Sequence, residues 1–213
     1  MNVNQLDHRK TALLFFDMLN VYYHGASETT KEHMRPVVAN AVRLRETARK
    51  AGIPIMFAQA NHRPDGATTG RIITDTDMRI RPWPDGECTI STPAAKGGSW
   101  EAEVIPELKP EAEDYFILKY RWSSFHQTYL DLALRTRGID TLIISGGATE
   151  IGIVSTAFSA RDMDYSVIIV RDACSGQNIE AHNMLMDLVF PRMARIRSTE
   201  QVLGMIKNKE NSP

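Results

Sequence analysis

Residues Thr141 to Ala173 read TLIISGGATEIGIVSTAFSARDMDYSVIIVRDA, and this stretch decides the fold. It opens on an apolar run, DTLIISG at Asp140 to Gly146, and closes on another, YSVIIVRD at Tyr165 to Asp172. Both runs are too short for helices and too continuous for strands with one wet face, so they predict strands buried on both sides. Between the two runs, Ile151 to Asp162 predicts a helix that connects them. A buried strand, a helix and a second buried strand indicate a parallel βαβ unit.

Similar apolar runs recur on either side of this unit. They are TALLFFD (Thr11 to Asp17), IPIMFAQ (Ile53 to Gln59), DYFILK (Asp114 to Lys119) and the weaker ARIRS (Ala194 to Ser198). Segments with helical spacing lie between the strands, at Pro36 to Ala51, Thr128 to Arg137 and Glu180 to Met193. Strands that alternate with helices predict an α/β fold, a three-layer α/β/α arrangement with a mostly parallel, Rossmann-like sheet of six strands.

The chain length predicts one domain with a long insertion. With 213 residues the chain is long for one ordinary domain and short for two. Proline and glycine punctuate about residues 62–110 too often for long elements, in HRPDG, RPWPDGE, TPAAKGG and ELKP. We therefore predict a single domain over residues 1–213, with an insertion or lid at about 62–110.

Composition excludes several classes of partner. The 25 Lys plus Arg residues balance 26 Asp plus Glu, and a formal net charge of −1 gives no electrostatic reason to expect nucleic acid or an anionic membrane. No apolar run approaches the roughly 20 residues that span a bilayer, and the polar start MNVNQLDHRK does not resemble a signal peptide. We expect a cytoplasmic protein. Its two cysteines, Cys88 and Cys174, are too few for a disulfide framework or a zinc ligand set.

Polar residues stand where the predicted strands end. Asp17, Gln59 and Lys119 close three of the runs, and GGATEIG, Gly146 to Gly152, follows a fourth. Each has an ordinary alternative, because Asp commonly forms turns and a Lys can simply emerge into solvent. In open parallel sheets, however, ligands bind beyond the carboxyl ends of the strands. These groups therefore predict one polar crevice, in which a carboxylate and an ammonium can exchange protons with a substrate.

The glycine-rich turn predicts an anion-binding or oxyanion site. Gly146 and Gly147 permit a tight turn, and amide N–H groups at the start of the following helix point at a ligand. Such turns also bind phosphate, but GGATEIG matches neither the P-loop nor the dinucleotide fingerprint. The segment DMLNVYYHG after the first strand lacks GxGxxG as well, which argues against a dinucleotide-dependent oxidoreductase. We predict no cofactor.

Three segments together resemble the isochorismatase-like hydrolases, also called the cysteine hydrolase superfamily. They are LLFFDMLN, FILKYRWSSFHQTYLDLALRTRG and the opening stretch at Thr141 to Ala173, and the resemblance runs from about Thr11 to Ser198. Its most specific parts are the Asp that ends the first strand, Lys-x-Arg-x-Ser-x-Phe at Lys119 to Phe125, and the Gly-x-x-Thr turn that leads into Ser-Thr-Ala. The resemblance also implies a homo-oligomer, a dimer or a tetramer.

In most of that family the resemblance implies amide hydrolysis by a cysteine at the helix start, assisted by Asp and Lys beside a non-proline cis peptide. Asp17 and Lys119 match the two assisting residues, and the cis bond is expected between Gly147 and Ala148. The nucleophile position falls on Gly152, which has no side chain, so a thioester cannot form there. Cys174 stands at the end of the fifth predicted strand and is an alternative thiol for the same edge of the sheet, although a small thiol is common in cores.

One branch of the family, the true isochorismatases, also has glycine at this position. The resemblance implies that its members hydrolyse a vinyl ether, with the Asp as an acid and water as the attacking group. Gln59 matches a glutamine of that branch, and Lys119, Trp122 and Phe125 are expected to line the pocket. Against this reading, ATEIG is more like the amidase turn Ala-Thr-Asn-x-Cys than the isochorismatase turn.

Glu150 and His62 leave alternatives open. A Glu150 carboxylate in the pocket would repel an anionic dicarboxylate or serve as a base for water, whereas a solvated Glu near a helix N-terminus would be favoured by the helix dipole. Zinc-binding members of the family use Asp-x-His and a later His, but Ala60-Asn61-His62 lacks the aspartate. His62 is then a loop residue or a substrate contact, and we predict no catalytic metal.

Two functions follow from these residues. The first is hydrolysis of a small polar molecule without a covalent intermediate, with Asp17 as general acid or base, Lys119 tuning it, and amides near Ala148 and Gly152 binding negative charge. The second is a non-catalytic binding homologue that lost its thiol.

Overall fold

The computed structural model describes residues 4–69, 77 and 94–207. Six strands in these residues form one sheet in the order β3-β2-β1-β4-β5-β6. The strands are β1 Thr11–Phe16, β2 Ile55–Ala60, β3 Tyr115–Lys119, β4 Thr141–Gly147, β5 Ser166–Ser175 and β6 Arg195–Arg197. Every pairing among them is parallel. The predicted α/β fold with a six-stranded sheet is confirmed, and the sheet of the described residues is wholly rather than mostly parallel.

Helices cover both faces of this sheet. They are α1 Glu28–Lys50, α2 Leu130–Thr136, α3 Val154–Asp162, α4 Ile179–Met184 and α5 Thr199–Lys207. Successive side chains of β1 alternate between the two faces. Leu13 and Phe15 join a core cluster with α1 and α5, whereas Leu14 and Phe16 join a second cluster with α2 and α3. The three predicted layers follow from this alternation.

Helix α1 begins at Glu28, earlier than the predicted start at Pro36. The Ser27 hydroxyl accepts the Thr30 N–H at 3.2 Å, which caps the helix N-terminus. Its first two turns are mostly polar, with Met34 the first buried residue, so they carry no apolar periodicity that a sequence could reveal. Pro36 lies inside the helix, and its ring is exposed.

Two other predicted helices are irregular at their ends. Helix α3 follows a wide π-type turn at Thr149–Ile153 rather than starting at Ile151. The predicted helix at Glu180 to Met193 divides into α4, a second π-type turn at Leu185–Val189 and a 3₁₀ turn at Phe190–Arg192. Pro191 lies in that last turn and has no N–H to continue an α-helix.

The predicted insertion at about 62–110 is described only in part. Its described residues include short 3₁₀ turns at Trp100–Ala102 and Pro106–Leu108. His62 forms a parallel bridge with Lys96, and Leu19 an antiparallel bridge with Val104. Residues 70–76 and 78–93 of the predicted insertion lie outside the described residues, so the insertion and the single domain stay predictions. In the described part of the chain, no helix is long and apolar enough to cross a membrane.

Candidate active site

The strand order places the candidate site between β1 and β4. Strands β1 and β4 are neighbours in the sheet, and the chain leaves β1 toward β2 but leaves β4 in the opposite direction, toward β5. Such a topological switch point is where open α/β sheets bind ligands. Asp17, Lys119, Gly147 and Ser175, at or just beyond four strand ends, line one cavity of about 1510 Å³.

The centre of this cavity is an ion pair. The Lys119 ammonium nitrogen, Nζ, lies 2.7 Å from Oδ2 of Asp17, and the two side chains are 5% and 13% exposed. The other carboxylate oxygen, Oδ1, accepts the main-chain N–H of Ala60 at 2.8 Å. Asp17 has a left-handed backbone with φ of 48°, and its own N–H donates to Ala58 O at 2.9 Å. One group from β2 and one from β3 therefore each bind one oxygen of the carboxylate.

Phe16, the residue before Asp17, forms the other wall around Lys119. The ammonium lies 4.4 Å from the centre of the Phe16 ring, within the range of a cation–π interaction. Phe16 and Lys119 are both buried, so little water competes for this contact. Lys119 thus has a carboxylate and an aromatic face as its immediate neighbours.

The turn after β4 brings backbone groups to the same cavity. The peptide bond between Gly147 and Ala148 is cis, as the resemblance implied. The amide N–H groups of Ile151, Gly152 and Ile153 all point at Ala148 O, at 3.2, 3.1 and 3.2 Å. The Ala148 N–H makes no hydrogen bond with any described residue. Of the two amides expected to bind negative charge, only that of Ala148 is free of a bond inside the turn.

Gly152 faces the Phe16 ring. A Cβ atom built at Gly152 would lie 2.1 Å from Cε1 and 2.2 Å from Cζ of that ring. Real Cβ atoms do not approach other atoms so closely, which means that this backbone accepts only glycine while the ring stays in place. The volume beside this residue of the π-type turn is occupied by an aromatic side chain.

Comparison with known proteins identifies the family. The family model described as the isochorismatase domain matches residues 11–201, which includes all six strands. The chain belongs to the isochorismatase family.

Relatives and solved structures of this family align over most of the chain. The uncharacterized isochorismatase family protein YwoC of Bacillus subtilis is 34% identical over 97% of this chain and 100% of its own length. Ureidoacrylate amidohydrolase RutB of Pseudomonas savastanoi is 31% identical over 77% of this chain and 70% of its own length. The structure of an isochorismatase family protein from Burkholderia thailandensis superposes with a TM-score of 0.76 at 26% identity, covering 95% of this chain and 97% of the other.

Most residues that the sequence assigned to an isochorismatase-family site lie along this cavity. Besides Asp17 and Lys119, the lining includes His62, Trp122, Phe125, Gly147, Ala148 and Gly152. Trp122 is 46% exposed and stands at the surface, whereas Phe125 is 7% exposed and belongs to the core on the α2 and α3 side. The His62 ring contacts Tyr120 edge to face, with centroids 6.2 Å apart.

Gln59 is placed elsewhere. Its side chain is buried, and Nε2 donates to the carbonyl of Ala102 at 2.9 Å. It ties β2 to the 3₁₀ turn Trp100–Ala102 and does not line the cavity. It shares the period-two face of β2 with Ile55 and Phe57, which belong to the core on the α1 side.

Glu150 also lies outside the cavity lining. Its Oε1 accepts the main-chain N–H groups of Gln177 at 2.7 Å and Asn178 at 3.1 Å. Its Oε2 is buried and has no hydrogen-bond partner among the described residues. The carboxylate thus holds the connection between β5 and α4, a role that neither sequence alternative included.

A second polar contact holds the same connection. The Thr149 hydroxyl donates to Ser175 O at 3.0 Å, so at 2.8 Å it accepts from Nδ1–H of His182. Burial lowers the pKa of His182, and the Arg171 charge lowers it further. The imidazole therefore tends to stay neutral in the folded protein.

Cys174 does not supply a nucleophile to this site. It is buried in the core on the α2 and α3 side, and its Sγ lies 3.8 Å from Ile144 O. Burial raises the pKa of its thiol to about 12, so almost none is thiolate near neutral pH. Cys88 lies outside the described residues.

Phe16 also lines the cavity, although no sequence signal marks it as a site residue. In TALLFFD it reads only as one more buried strand residue. The period of two along β1 does place Phe16 on the face opposite Phe15. The contact with Gly152 depends on how β1 and β4 pair, which a single sequence does not display. Among the described residues, no cluster of three His, Cys, Asp or Glu side chains could hold a metal ion.

Proposed function

We propose that this protein hydrolyses a small polar molecule by attack of water, with Asp17 as general acid–base, Lys119 as its charged partner, and no covalent enzyme intermediate. The observation that carries the proposal is the Asp17–Lys119 ion pair, 2.7 Å apart in a cavity whose described lining contains no cysteine. Membership of a hydrolase family supports the reaction class.

The surroundings of Asp17 suit proton transfer. Lys119 and the Ala60 N–H hold one carboxylate oxygen each, which fixes the group while one side faces the cavity. A positioned acid or base typically contributes a factor of about 10² to 10⁴ in rate. The ammonium of Lys119 stabilises the carboxylate that remains whenever Asp17 has given its proton away.

For a vinyl ether, the protonated Asp17 gives its proton to the terminal carbon of the double bond, and the carbon that bears the oxygen becomes a cation. Water adds to that cation and returns a proton to Asp17. The resulting hemiketal splits into a ketone and an alcohol. No nucleophilic side chain takes part, so glycine at position 152 is compatible with this route.

For a C–N bond, the Asp17 carboxylate takes a proton from water as the water oxygen adds to the carbonyl carbon. The free N–H of Ala148 donates to the developing oxyanion, and Asp17 then gives the proton to the leaving nitrogen. The relative named ureidoacrylate amidohydrolase supports this bond type. Both routes use the same two residues, and the substrate decides between them.

The cavity wall supports a small polar substrate. We propose that His62, Trp122 and Phe125 contact it while Gly147 and Ala148 present backbone to it. The proposed chemistry uses neither a metal ion nor an organic cofactor, so turnover is expected to survive a chelator. We further propose a cytoplasmic homo-oligomer, a dimer or a tetramer, and light scattering after size-exclusion chromatography tests the oligomer.

The test is a hydrolase assay of the wild type over vinyl ethers, linear amides and cyclic imides. On any compound that is turned over, Asp17→Asn should lower kcat by at least about 100-fold. Asp140→Asn, which changes an exposed carboxylate paired loosely with Lys10 at 3.9 Å, is the matched control and should keep wild-type turnover. Intact-protein mass of the quenched reaction should show no adduct.

Three outcomes would contradict the proposal. Full turnover by a folded Asp17→Asn variant would remove the acid–base role, and a substrate-derived mass on the protein would remove the water mechanism. Saturable binding of a panel compound without turnover by the wild type would favour the binding homologue instead.

A further inference from the structure

Phe16 is packed against two glycines that have no room for a side chain. A Cβ atom at Gly146, whose φ is +119°, would lie 2.1 Å from the main-chain oxygen of Phe16. A Cβ atom at Gly152 would lie 2.1 Å, 2.2 Å and 3.1 Å from three carbons of its ring. The backbone of Phe16 is therefore fixed by one glycine, and its ring fills the space left by the other.

The same ring faces the catalytic ammonium. Lys119 Nζ is 4.4 Å from the ring centre on one side and 2.7 Å from Asp17 on the other. The ring thus lies between Lys119 and Gly152, which is in the π-type turn before α3. A side chain at position 152, in the space the ring now takes, would lie next to the ion pair.

From this placement we infer that Phe16 decides the reaction class of the site, because its ring excludes a nucleophilic side chain at position 152 and supplies the contact that positions Lys119. The statement about reaction class rests on the proposed function, hydrolysis by attack of water. The packing statement stands independently: residues 16 and 152 form a coupled pair, in which a large side chain at one requires glycine at the other. Phe16 acts through Lys119 and Gly152, so it is a positioning residue.

We therefore expect that Gly152→Cys together with Phe16→Val places a reactive thiol in the site, whereas Gly152→Cys alone does not. Gly152→Cys forces the new Cβ into the ring, and overpacking of this kind destabilises a core. Phe16→Val removes the ring carbons that cause the conflict. In the double variant the thiol occupies the former ring volume beside Lys119, whose positive charge favours the thiolate.

The experiment uses thiol chemistry and needs no substrate. Cys88→Ser and Cys174→Ala first remove the native thiols, and Phe16→Val, Gly152→Cys and the double variant are made in that background. Iodoacetamide reports the new thiolate: sulfur bonds to the CH₂ carbon, the C–I bond breaks, iodide leaves, and the thiol proton goes to solvent. The readouts are the alkylation rate against pH and the melting temperature.

We expect the single Gly152→Cys variant to melt at least about 5 °C below its background or to be insoluble. The double variant should melt above it. Its thiol should alkylate near pH 7 at least about ten times faster than free cysteine, whose pKa is about 8.5. Adding Lys119→Met should return that rate to the free-cysteine value, measured at a temperature below the melting transition of the triple variant so that the protein is folded. A purely structural role of Phe16 would not predict this response.

Two results would overturn the inference. One is a single Gly152→Cys variant that melts and alkylates like the double variant, because the ring would then exclude nothing. The other is a double-variant thiol whose rate does not respond to Lys119→Met. If the double variant fails to fold, Gly152→Ala decides, alone and together with Phe16→Leu, because the same Cβ meets the same ring carbons. The single Gly152→Ala variant should melt below the wild type and the Phe16→Leu, Gly152→Ala pair above the single variant; a single variant that melts at the wild-type temperature counts against the inference.

Failure of this inference is distinguishable from failure of the proposed function. Alkylation and melting are measured without a substrate, so they can support the coupled pair even if no panel compound is hydrolysed. Conversely, turnover that depends on Asp17 can coexist with a thiol that shows no enhanced reactivity.

Discussion

Lys119 Nζ lies 2.7 Å from Asp17 Oδ2, in a pair whose side chains are 5% and 13% exposed. Parallel pairing of β2 with β1 and β3 produces this contact, because it places Ala60 beside Lys119 and brings Asp17 onto the Ala60 N–H. Because little water reaches either group, each charge is stabilised mainly by the other. Removing one partner of a buried pair is expected to cost far more than the pair itself contributes.

Lys119→Met tests that dependence. It keeps the apolar stem but leaves the Asp17 carboxylate without its cation, so the free energy of unfolding should fall by about 3 kcal/mol. Chemical denaturation measures this. The double variant with Asp17→Asn should lose less than the sum of the two single losses.

Lys31→Met, which breaks the exposed pair with Glu28, is the control for Lys119→Met and should change stability little. A Lys119→Met protein as stable as the wild type would show that the pair does not hold the site together.

Gly146→Ala should be strongly destabilising. The new Cβ would lie 2.1 Å from the main-chain oxygen of Phe16, and the φ of +119° is itself unfavourable for alanine. We expect a loss of at least about 3 kcal/mol in the free energy of unfolding, or no soluble protein.

Substitutions at two other glycines separate the cost of the positive φ from the cost of the close contact with Phe16. Gly138→Ala, at a φ of +67° with open space around the site, should lose only about 1 kcal/mol. Gly204→Ala, inside α5 with nothing within 4 Å, should gain up to about 1 kcal/mol. Equal losses at positions 146 and 138 would mean that the close approach to Phe16 contributes nothing.

The Cys174 thiol should not react with thiol reagents in the folded protein. Burial raises the pKa of its thiol to about 12, and only the thiolate reacts with a disulfide reagent. In a Cys88→Ser background, thiol titration at about pH 8 should show no reaction before denaturant is added and complete reaction afterwards. Rapid labelling of the native protein would show that Cys174 is accessible and would reopen it as a candidate nucleophile.

His182 should make stability depend on pH in a defined direction. Burial lowers its pKa in the folded state, and the nearby Arg171 charge adds to this, so the unfolded chain binds a proton more readily. Its contribution is then complete above the ordinary histidine pKa of about 6.5 and is lost as pH falls through that value toward the lower folded pKa.

Denaturation midpoints of the wild type and His182→Asn, compared between about pH 8 and pH 5, measure this contribution. Asparagine can donate to Thr149 as Nδ1–H does but does not titrate, so the variant should lose stability less steeply toward low pH. Identical slopes for the two proteins would contradict the assignment.

The fold could be predicted closely because its signals are local. Each buried strand is a short continuous apolar run, and glycine ends two of the helices between them, at Gly52 and Gly138. Asp17 and Lys119 could also be found, since residues that end parallel strands must meet at one edge of the sheet. The first two turns of α1 gave no such signal because they are polar.

The hydrogen-bond partners of individual polar side chains were less predictable. Gln59 and Glu150 both stand near strand ends, yet one donates to Ala102 O and the other accepts from Gln177 and Asn178. Their partners belong to distant segments whose approach no short motif encodes. Position at a strand end therefore predicts nearness to the site and leaves the direction of the side chain open.

The sequence by itself determined the order of strands and helices, the edge of the sheet that carries the site, and the glycine at position 152, because these depend on residue type and on spacing along the chain. Only the tertiary structure decided what fills the space beside that glycine. The Phe16 ring reaches it because β1 and β4 pair with Phe16 opposite Gly146. That contact joins residues more than a hundred positions apart, and steric exclusion between them arises only when the sheet has formed.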